Sequence, residues 1–367
     1  MARKLKRLPA LPSSPISWTP CAKPSSFIAV TCKPGQKDVE MQSFWSGRNC
    51  LITGGAGFGG AHLCELLLGL GARVYILDRW LPANSYLVLS GMKARTTFIQ
   101  GDIRDMDLLR LTLQRFEINT VFHLAAQPIV PISNVLPLET LSVNAQGTYN
   151  VLESVRTAQC VERLVFASSG AYYGATTTNQ AIPETHPPLP AANIYAPSKV
   201  AGDVAVRAYA HIYGMKAAVC RFMNTFGPGD TNFSRIVPRA IKNLITNDTY
   251  DFGSRDDGSS QIDCLYISDM AKAYTHLAEK LDEVAGEAFN FGTGVPVSTK
   301  EVTSLTSRVF DDTERTPIFS GEKRAVPSIK YLDITKSRQQ LGWQPTTSLP
   351  EGLQKTIAWY RAHWDEL

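Results

Sequence analysis

Six short apolar runs, each separated from the next by an amphipathic stretch, dominate the chain from residue 49 to residue 222. The runs are CLIT, VYILD, TFIQ, TVFHLA, RLVFA and AAVCRF, at 50–53, 74–78, 97–100, 120–125, 163–167 and 217–222. The clearest helical patterns between them lie at 62–70, 107–116, 139–157 and 196–213. Strands that are apolar on both faces and alternate with helices form parallel sheets covered on both sides. The sequence therefore predicts an α/β fold built on a doubly wound parallel sheet.

The composition, 44% hydrophobic and 19% charged over 367 residues, is that of a globular protein able to bury a sizeable core. No apolar run approaches the roughly eighteen residues of a membrane span, so we expect a soluble protein without a membrane partner. The net charge is only +4, which argues against a nucleic-acid partner. The seven cysteines show no CxxC spacing. We therefore expect reduced thiols, a cytoplasmic location and no metal site.

Residues 1–43 show no sustained period and mix Pro, Ser, Lys and Arg with short apolar pieces. Seven Lys or Arg residues and no acidic residue fall within 1–37. We expect this segment to be a disordered or targeting extension outside the fold. Three explanations stay open: a disordered tail, an acid-poor transit peptide for organelle import, or an upstream start with Met41 as the true beginning.

Three glycines, Gly54, Gly57 and Gly60, follow the first apolar run in GxxGxxG spacing. Glycine allows a tight turn and the close approach of a pyrophosphate, which free N–H groups at a helix N-terminus attract. The second run ends in Asp78, about twenty residues on, where a carboxylate can accept both ribose hydroxyls of a dinucleotide. This context predicts an NAD site on a Rossmann fold. A tight strand-to-helix turn without any cofactor is the alternative.

The carboxylate of Asp78 would repel a 2′-phosphate, so the sequence favours NAD over NADP. Arg79 is a competing indication, because a guanidinium there could receive that phosphate. Further cofactor contacts are expected in the turn and after the third and fourth runs. These are Phe58, Asp102, Ile103, Leu124, Ala125 and Ala126.

The alternation of strands and helices loosens after the sixth run. We expect the NAD-binding Rossmann domain to cover 44–225, and the strand and helix of 262–285 to return to it. The segments 226–261 and 286–367 are expected to form a smaller C-terminal substrate-binding lobe.

Tyr195 and Lys199, in NIYAPSKVAGD, are four residues apart and therefore project from one face of a helix. A phenol with its usual pKa of about 10 is a weak base at neutral pH, but an adjacent ammonium and a positive nicotinamide ring favour the phenolate. Ser169 ends the fifth run and can hydrogen-bond the same substrate oxygen. The three residues predict a catalytic site with Tyr195 as the base. A core tyrosine beside a surface lysine is the alternative.

The motifs TGGAGFGG, GDIRD, HLAAQ, SVNAQGTYNVLE, SSGAYYG, YAPSK, RFMNTFGPGD, FNFGTG and LGWQP follow one another to the carboxyl end of the chain. In their order and spacing the chain resembles the extended short-chain dehydrogenase/reductase family of nucleotide-sugar epimerases and dehydratases. The resemblance implies that Ser169, Tyr195 and Lys199 are catalytic. It also implies that Asn144 is the asparagine of the active-site helix, beside the cofactor, and that Asn224 contacts the sugar or phosphate.

The resemblance further implies a nucleotide-diphosphate sugar as the substrate. The expected substrate contacts are Gln127, Ser169, Gly170, Asn224, Arg235 and Arg324. Members of the family usually pair through two helices per subunit, so we expect a homodimer, with 107–116 and 139–157 as the candidate helices.

The sequence departs from the family pattern in two respects. In the dehydratase branch a carboxylic acid follows the catalytic serine or threonine, whereas this chain has Gly170 and Ala171. Elimination across C5 and C6 of a sugar needs such an acid and base, while oxidation and reduction at C4 do not. Ile262 stands where the pattern commonly carries an arginine that holds the nucleotide diphosphate.

The sequence thus favours an NAD-dependent enzyme, a nucleotide-sugar 4-epimerase that acts through a transient 4-keto intermediate. Within the family the alternative is a 4,6-dehydratase of the CDP- or dTDP-glucose type with a relocated acid, for which Glu184 is the first candidate. The alternative from another class is a non-catalytic NAD-binding protein with a regulatory or RNA-associated role. The complete set of Ser169, Tyr195 and Lys199 argues against that class.

Overall fold

Seven parallel strands form the central sheet in a computed structural model that describes residues 43–175 and 179–367. Their order across the sheet is β10-β6-β5-β4-β1-β2-β3. The strands of this sheet are β1 Asn49–Thr53, β2 Arg73–Asp78, β3 Thr97–Gln100, β4 Thr120–His123, β5 Arg163–Ala167, β6 Ala217–Phe222 and β10 Ala288–Phe291. The predicted doubly wound parallel sheet is confirmed. The extension expected over 1–43 lies, apart from its last residue, outside the described residues.

Helices cover both faces of the sheet, and further helices pack beside it. They are α1 Phe58–Gly69, α2 Tyr86–Leu89, α3 Met106–Arg115, α4 Val130–Val135, α5 Pro137–Leu141, α6 Gly147–Thr157, α7 Tyr195–Tyr213, α8 Ile236–Ile245, α9 Ile267–Glu279, α10 Leu281–Val284, α11 Thr299–Asp311, α12 Thr335–Leu341 and α13 Leu349–His363. A π-helical segment, Ser142–Gln146, joins α5 to α6, and the 3₁₀ turn Gly170–Tyr173 follows β5. No helix within the two described ranges combines the length and the apolar character that a membrane crossing requires.

Successive residues of each strand enter different cores, because their side chains point to opposite faces of the sheet. Ile52 lies in the core under α1 and α9, and its neighbours across the sheet are Ile76 and Phe122. Leu51 lies in the core under α3, α6 and α7, together with Leu164. Both faces of the strands are therefore apolar, which is why the sequence shows continuous rather than alternating apolar runs.

Residues after β6 form two smaller sheets. Their strands are β7 Asn224–Phe226, β8 Gln261–Ile262, β9 Cys264–Tyr266, β11 Val297–Ser298 and β12 Ile329–Lys330. Strand β7 pairs with β9, and β8 lies between β11 and β12. The structure differs from the expected domain division in two places. Strand β10 falls within 286–367, yet it pairs in parallel with β6 and forms an edge of the main sheet. The strands expected to return to the Rossmann domain from 262–285, β8 and β9, lie in the two smaller sheets instead.

A buried ion pair joins α7 to β6. The guanidinium of Arg221 donates hydrogen bonds to both carboxylate oxygens of Asp203, at 2.9 and 2.8 Å. Both side chains are fully buried. Arg221 also donates to the hydroxyl of Tyr173 at 3.0 Å, and its guanidinium carbon lies 3.6 Å from the centroid of the Tyr172 ring. The pair thus fixes α7, which carries Tyr195 and Lys199, to the sheet and to the turn after β5.

Candidate active site

The turn between β1 and α1 brings two strand ends close together. Gly54 has a φ of +74°, and a Cβ on it would lie 2.7 Å from the Cα of Ala125, just after β4. A Cβ on Gly60 would lie 2.4 Å from the carbonyl oxygen of Gly54. Both positions therefore require glycine. Helix α1 has no side-chain cap at its N-terminus, so its first N–H groups remain available to an anionic ligand.

A first cavity, of about 500 Å³, is lined by this turn and by the ends of β2, β3 and β4. The expected cofactor residues in its wall are Gly54, Gly57, Phe58, Gly60, Asp78, Arg79, Asp102, Ile103, Leu124, Ala125 and Ala126. The other three expected cofactor contacts, Asn144, Tyr195 and Lys199, do not line it. The residues present fit a dinucleotide, because the glycine turn, the helix N-terminus and an acidic strand end face one space.

Asp78 is the last residue of β2, and each of its two carboxylate oxygens already accepts one hydrogen bond. One accepts a hydrogen bond from the N–H of Ala56 at 3.1 Å and the other from the N–H of Arg79 at 2.8 Å. Burial raises the pKa of Asp78 above its ordinary value, while these two hydrogen bonds act in the opposite direction. Each oxygen keeps a lone pair, so the carboxylate can accept two more hydroxyl groups, as the ribose of NAD requires.

Arg79 is engaged by protein groups at the edge of the first cavity. Its guanidinium lies 3.7 Å from the carboxylate of Glu139 and 4.6 Å from the centroid of the Trp80 ring. Glu139 also accepts a hydrogen bond from Arg104 at 2.9 Å, and Arg104 donates to both oxygens of Asp102. Glu139 thus partly neutralises the positive charge of Arg79. That charge is the one that would bind the 2′-phosphate of NADP.

A second cavity, of about 590 Å³, adjoins the first and shares Pro128, Thr225 and Arg235 with it. The expected catalytic and substrate residues in its wall are Ser169, Gly170, Tyr195, Asn224 and Arg235. The structure therefore brings the serine, the tyrosine and an arginine to one space.

Two expected substrate contacts lie elsewhere. Gln127 is in the wall of the first cavity, and its side-chain amide donates to Thr140 at 3.0 Å and accepts from the N–H of Ile129 at 2.6 Å. Arg324 lines neither cavity and donates to the hydroxyl of Ser260 at 2.7 Å.

Ser169 and Tyr195 both line the second cavity, and their side chains are close enough for the serine to affect the pKa of the phenol through hydrogen bonding. Burial raises the pKa of the Tyr195 phenol, while this hydrogen bond and the charge of Arg235 act in the opposite direction. The hydroxyl of Ser169 also accepts from the N–H of Ala171 at 3.1 Å, which fixes its position. A phenol between a hydroxyl and a nearby guanidinium can exchange a proton with a substrate hydroxyl.

Lys199 lies one turn behind Tyr195 and is only 3% exposed. Burial lowers its pKa to about 8, partly offset by the charge of Asp203. Its Nζ lies 4.6 Å from the centroid of the Phe166 ring. Lys199 lines neither cavity, so it acts on a ligand only through a neighbouring group or after a side-chain movement.

Asn144 lies in the π-helical segment, where the irregular backbone turns its side chain toward the loop after β4. Its Oδ1 accepts from the N–H of Gln127 at 2.7 Å, and its Nδ2 donates to the Gln127 carbonyl at 3.1 Å and to Ser198 at 2.9 Å. Asn144 is thus a positioning residue between that loop and α7. Short π-helical segments are frequent at functional sites.

The sequence patterns did not single out four polar residues of the second cavity, Thr225, Ser234, Thr299 and Lys330. No described residue in the wall of this cavity is Asp or Glu. Glu184, the expected relocated acid, does not line it, and its carboxylate accepts from the N–H of Asn290 at 2.8 Å. Within the described residues, no group of three or more His, Cys, Asp or Glu side chains could hold a metal ion.

Residues 50–292 match the NAD dependent epimerase/dehydratase family. The chain belongs to this family. The predicted family, the prediction of an enzyme and the NAD cofactor are confirmed.

Relatives of the chain include both epimerases and dehydratases. It is 33% identical to the UDP-glucose 4-epimerase of Mycolicibacterium smegmatis, over 85% of this chain and 98% of that protein. Its fold is similar to that of the UDP-glucose 4-epimerase of Thermotoga maritima, solved with UDP-glucose (TM-score 0.77, 27% identity, 86% and 99% coverage). It is also similar to the dTDP-glucose 4,6-dehydratase of Streptomyces venezuelae, solved with NAD bound (TM-score 0.76, 27% identity, 87% and 98% coverage).

The contacts of Asp78 and Arg79 generate a prediction about cofactor choice. The wild-type protein should bind NAD at least about tenfold more tightly than NADP, a difference of about 1.4 kcal/mol. Glu139→Gln should release Arg79 toward a 2′-phosphate and raise the NADP affinity roughly threefold or more, with little change for NAD. Isothermal calorimetry measures the NAD and NADP affinities of the wild type and of the variant. Glu153→Gln is the control, since Glu153 pairs with Arg156 away from the cavity. Equal affinities in the wild type would contradict the assignment of Asp78.

Proposed function

We propose that this protein is a nucleotide-sugar 4-epimerase that acts through a transient 4-keto sugar. The observation that carries the proposal is the second cavity, where Ser169 and Tyr195 meet beside the NAD cavity without any carboxylate in the described wall. Relatives named UDP-glucose 4-epimerase make UDP-glucose the first substrate to test.

The residues that would hold NAD are the glycine turn, the N-terminus of α1 and Asp78. When bound, NAD supplies a hydride acceptor whose reduced form can return the hydride to the sugar. Because the hydride comes back, an epimerase consumes no cofactor.

The chain's own residues handle the proton. Tyr195 takes the proton of the C4 hydroxyl as the C4–H bond breaks, and returns it to the oxygen when the other face of the 4-keto sugar is reduced. Ser169 can donate a hydrogen bond to the same oxygen and hold it near the phenol. Burial raises the pKa of Tyr195, and the charge of Arg235 opposes this rise, which favours the phenolate that accepts the proton.

The dehydratase alternative needs more groups than the described cavity wall offers. Elimination requires a base for the C5 proton and an acid for the C6 hydroxyl leaving group. The positions after Ser169 hold Gly170 and Ala171, and Glu184 is already bonded to the backbone of Asn290. Proton exchange at O4 alone is the chemistry that Ser169 and Tyr195 support.

The proposal predicts the product. Purified protein given UDP-, dTDP- and CDP-glucose should convert at least one of them to its C4 epimer, with no net oxidation or reduction, as measured by chromatography and NMR of the product. Tyr195→Phe should lower kcat by about 100-fold or more, because the proton transfer is lost, while NAD binding persists. Tyr209→Phe, on the same helix, is the matched control. A 4-keto-6-deoxy product from the wild type would contradict the proposal.

We also propose a homodimer, with a revised choice of helices. Helix α7 carries a stripe of Val204, Ala208 and Ile212 at four-residue spacing, and Ile212 is 66% exposed. Next to it, the segment of α5 and α6 exposes Leu138 and Tyr149. Helix α3, which covers most of 107–116, exposes one large apolar side chain, Leu111. The pairing of α5–α6 and α7 with a second copy therefore has more support than a pairing through α3.

Light scattering tests the dimer. The mass in solution should be twice the 40.3 kDa of one chain at micromolar concentration. Val204→Lys should shift it toward the monomer, because a symmetric interface places the new charge on both partners. Leu111→Lys is the control on α3. A monomeric wild type, or a dimer broken only by Leu111→Lys, would contradict this choice of helices.

A further inference from the structure

Lys330 lies in the wall of the second cavity, opposite a residue that the sequence singled out. In the parallel pair of β12 and β8 its Cα partner is Ile262. Directly paired residues of neighbouring strands point to the same face, and both side chains line the cavity. A charge at 330 and a charge at 262 would therefore reach the same part of a bound substrate.

The ammonium of Lys330 has few partners among the described residues. It is half-buried, and within that part of the chain its Nζ donates one hydrogen bond, to the carbonyl of Gly174 at 3.0 Å. An ammonium has three donors. No described carboxylate forms an ion pair with it, whereas the other cation of this cavity wall, Arg235, pairs with Asp230 at 3.0 Å. Burial lowers the pKa of Lys330, as expected for a cation that lacks a compensating charge.

We propose that Lys330 binds an anionic oxygen group of the nucleotide-sugar substrate. The assignment rests on the proposed function, which makes such a sugar the ligand of this cavity. A partly dehydrated cation without an acidic partner is unfavourable in the free protein. A substrate anion would restore the missing interaction through a charge-assisted hydrogen bond. The anion is either the diphosphate that links nucleoside to sugar or a carboxylate at C6 of the sugar.

The alternative is a purely structural role, in which Lys330 only anchors the backbone at Gly174 through its hydrogen bond. Such a lysine would affect folding and the shape of the cavity, but not the binding of charge as such. A positive charge introduced on the neighbouring strand β8 would then not restore substrate binding. The pairing of Lys330 with Ile262 provides this test.

The experiment compares the wild type, Lys330→Met and the double variant Lys330→Met/Ile262→Arg by isothermal calorimetry. The probes are UDP, UDP-glucose and UDP-glucuronate, with dTDP, CDP and their glucose conjugates for the other bases. Lys330→Met should weaken binding by about tenfold or more, because one charge-assisted contact is lost. The double variant should recover part of that loss. Lys300→Met, at an exposed lysine outside the cavity, is the control, and unchanged NAD binding and melting temperature show that the fold is intact.

The probes separate the two sources of the anion. A loss already seen with UDP or another nucleoside diphosphate assigns Lys330 to the diphosphate, while a loss confined to UDP-glucuronate assigns it to the C6 carboxylate. Unchanged affinities in Lys330→Met, or a loss that Ile262→Arg does not restore in part, would overturn the proposal. Wild-type protein that binds no nucleotide sugar in the set would refute the proposed function, and the assignment of Lys330 with it.

Discussion

The buried pair of Asp203 and Arg221 is the interaction on which the geometry of the active site depends. Removing one partner of such a pair typically costs about 3–5 kcal/mol, because a buried charge is left without compensation. Here the pair sets α7 against β6, and its contact with Tyr173 joins it to the turn that begins after Ser169. The pair therefore helps to hold the tyrosine on α7 near the serine after β5.

A second constraint acts at the carboxyl ends of the central strands. The close approach of Gly54 and Ala125 brings the ends of β1 and β4 together. The side chains beneath this contact form a chain of hydrogen bonds. Buried His123 bridges Thr53 at 2.7 Å and Thr148 at 3.0 Å. Burial and the charge of Lys199 lower the pKa of His123 to about 3, so this bridge is neutral throughout the physiological range. The hydrogen bonds of His123 beneath the NAD cavity thus do not change with protonation over that range.

The site residues that belong to a local sequence motif were predictable from the sequence. The glycine turn, Asp78, Ser169 and Tyr195 each follow a recognisable strand or open a helix, so local pattern places them at one edge of the sheet. Lys330 and Glu139 were not predictable, because their roles arise from long-range contacts: the pairing of β12 with β8, and the approach of Glu139 to Arg79. For the same reason the sequence did not predict that β10 joins the main sheet, because its pairing with β6 is a long-range contact. Nothing near Ala288 in the sequence says that the strand returns to β6.

The proposed epimerase exchanges a proton at O4 of the sugar and none at C5. The most direct test is turnover of the accepted nucleotide glucose in deuterated water, with the label at each sugar carbon read by NMR. The product should be a C4 epimer with no deuterium at C5, because Tyr195 exchanges only an oxygen-bound proton. Deuterium at C5 in a 4-keto-6-deoxy product would rule out the epimerase reaction, and would require an acid and a base that the described cavity wall does not contain.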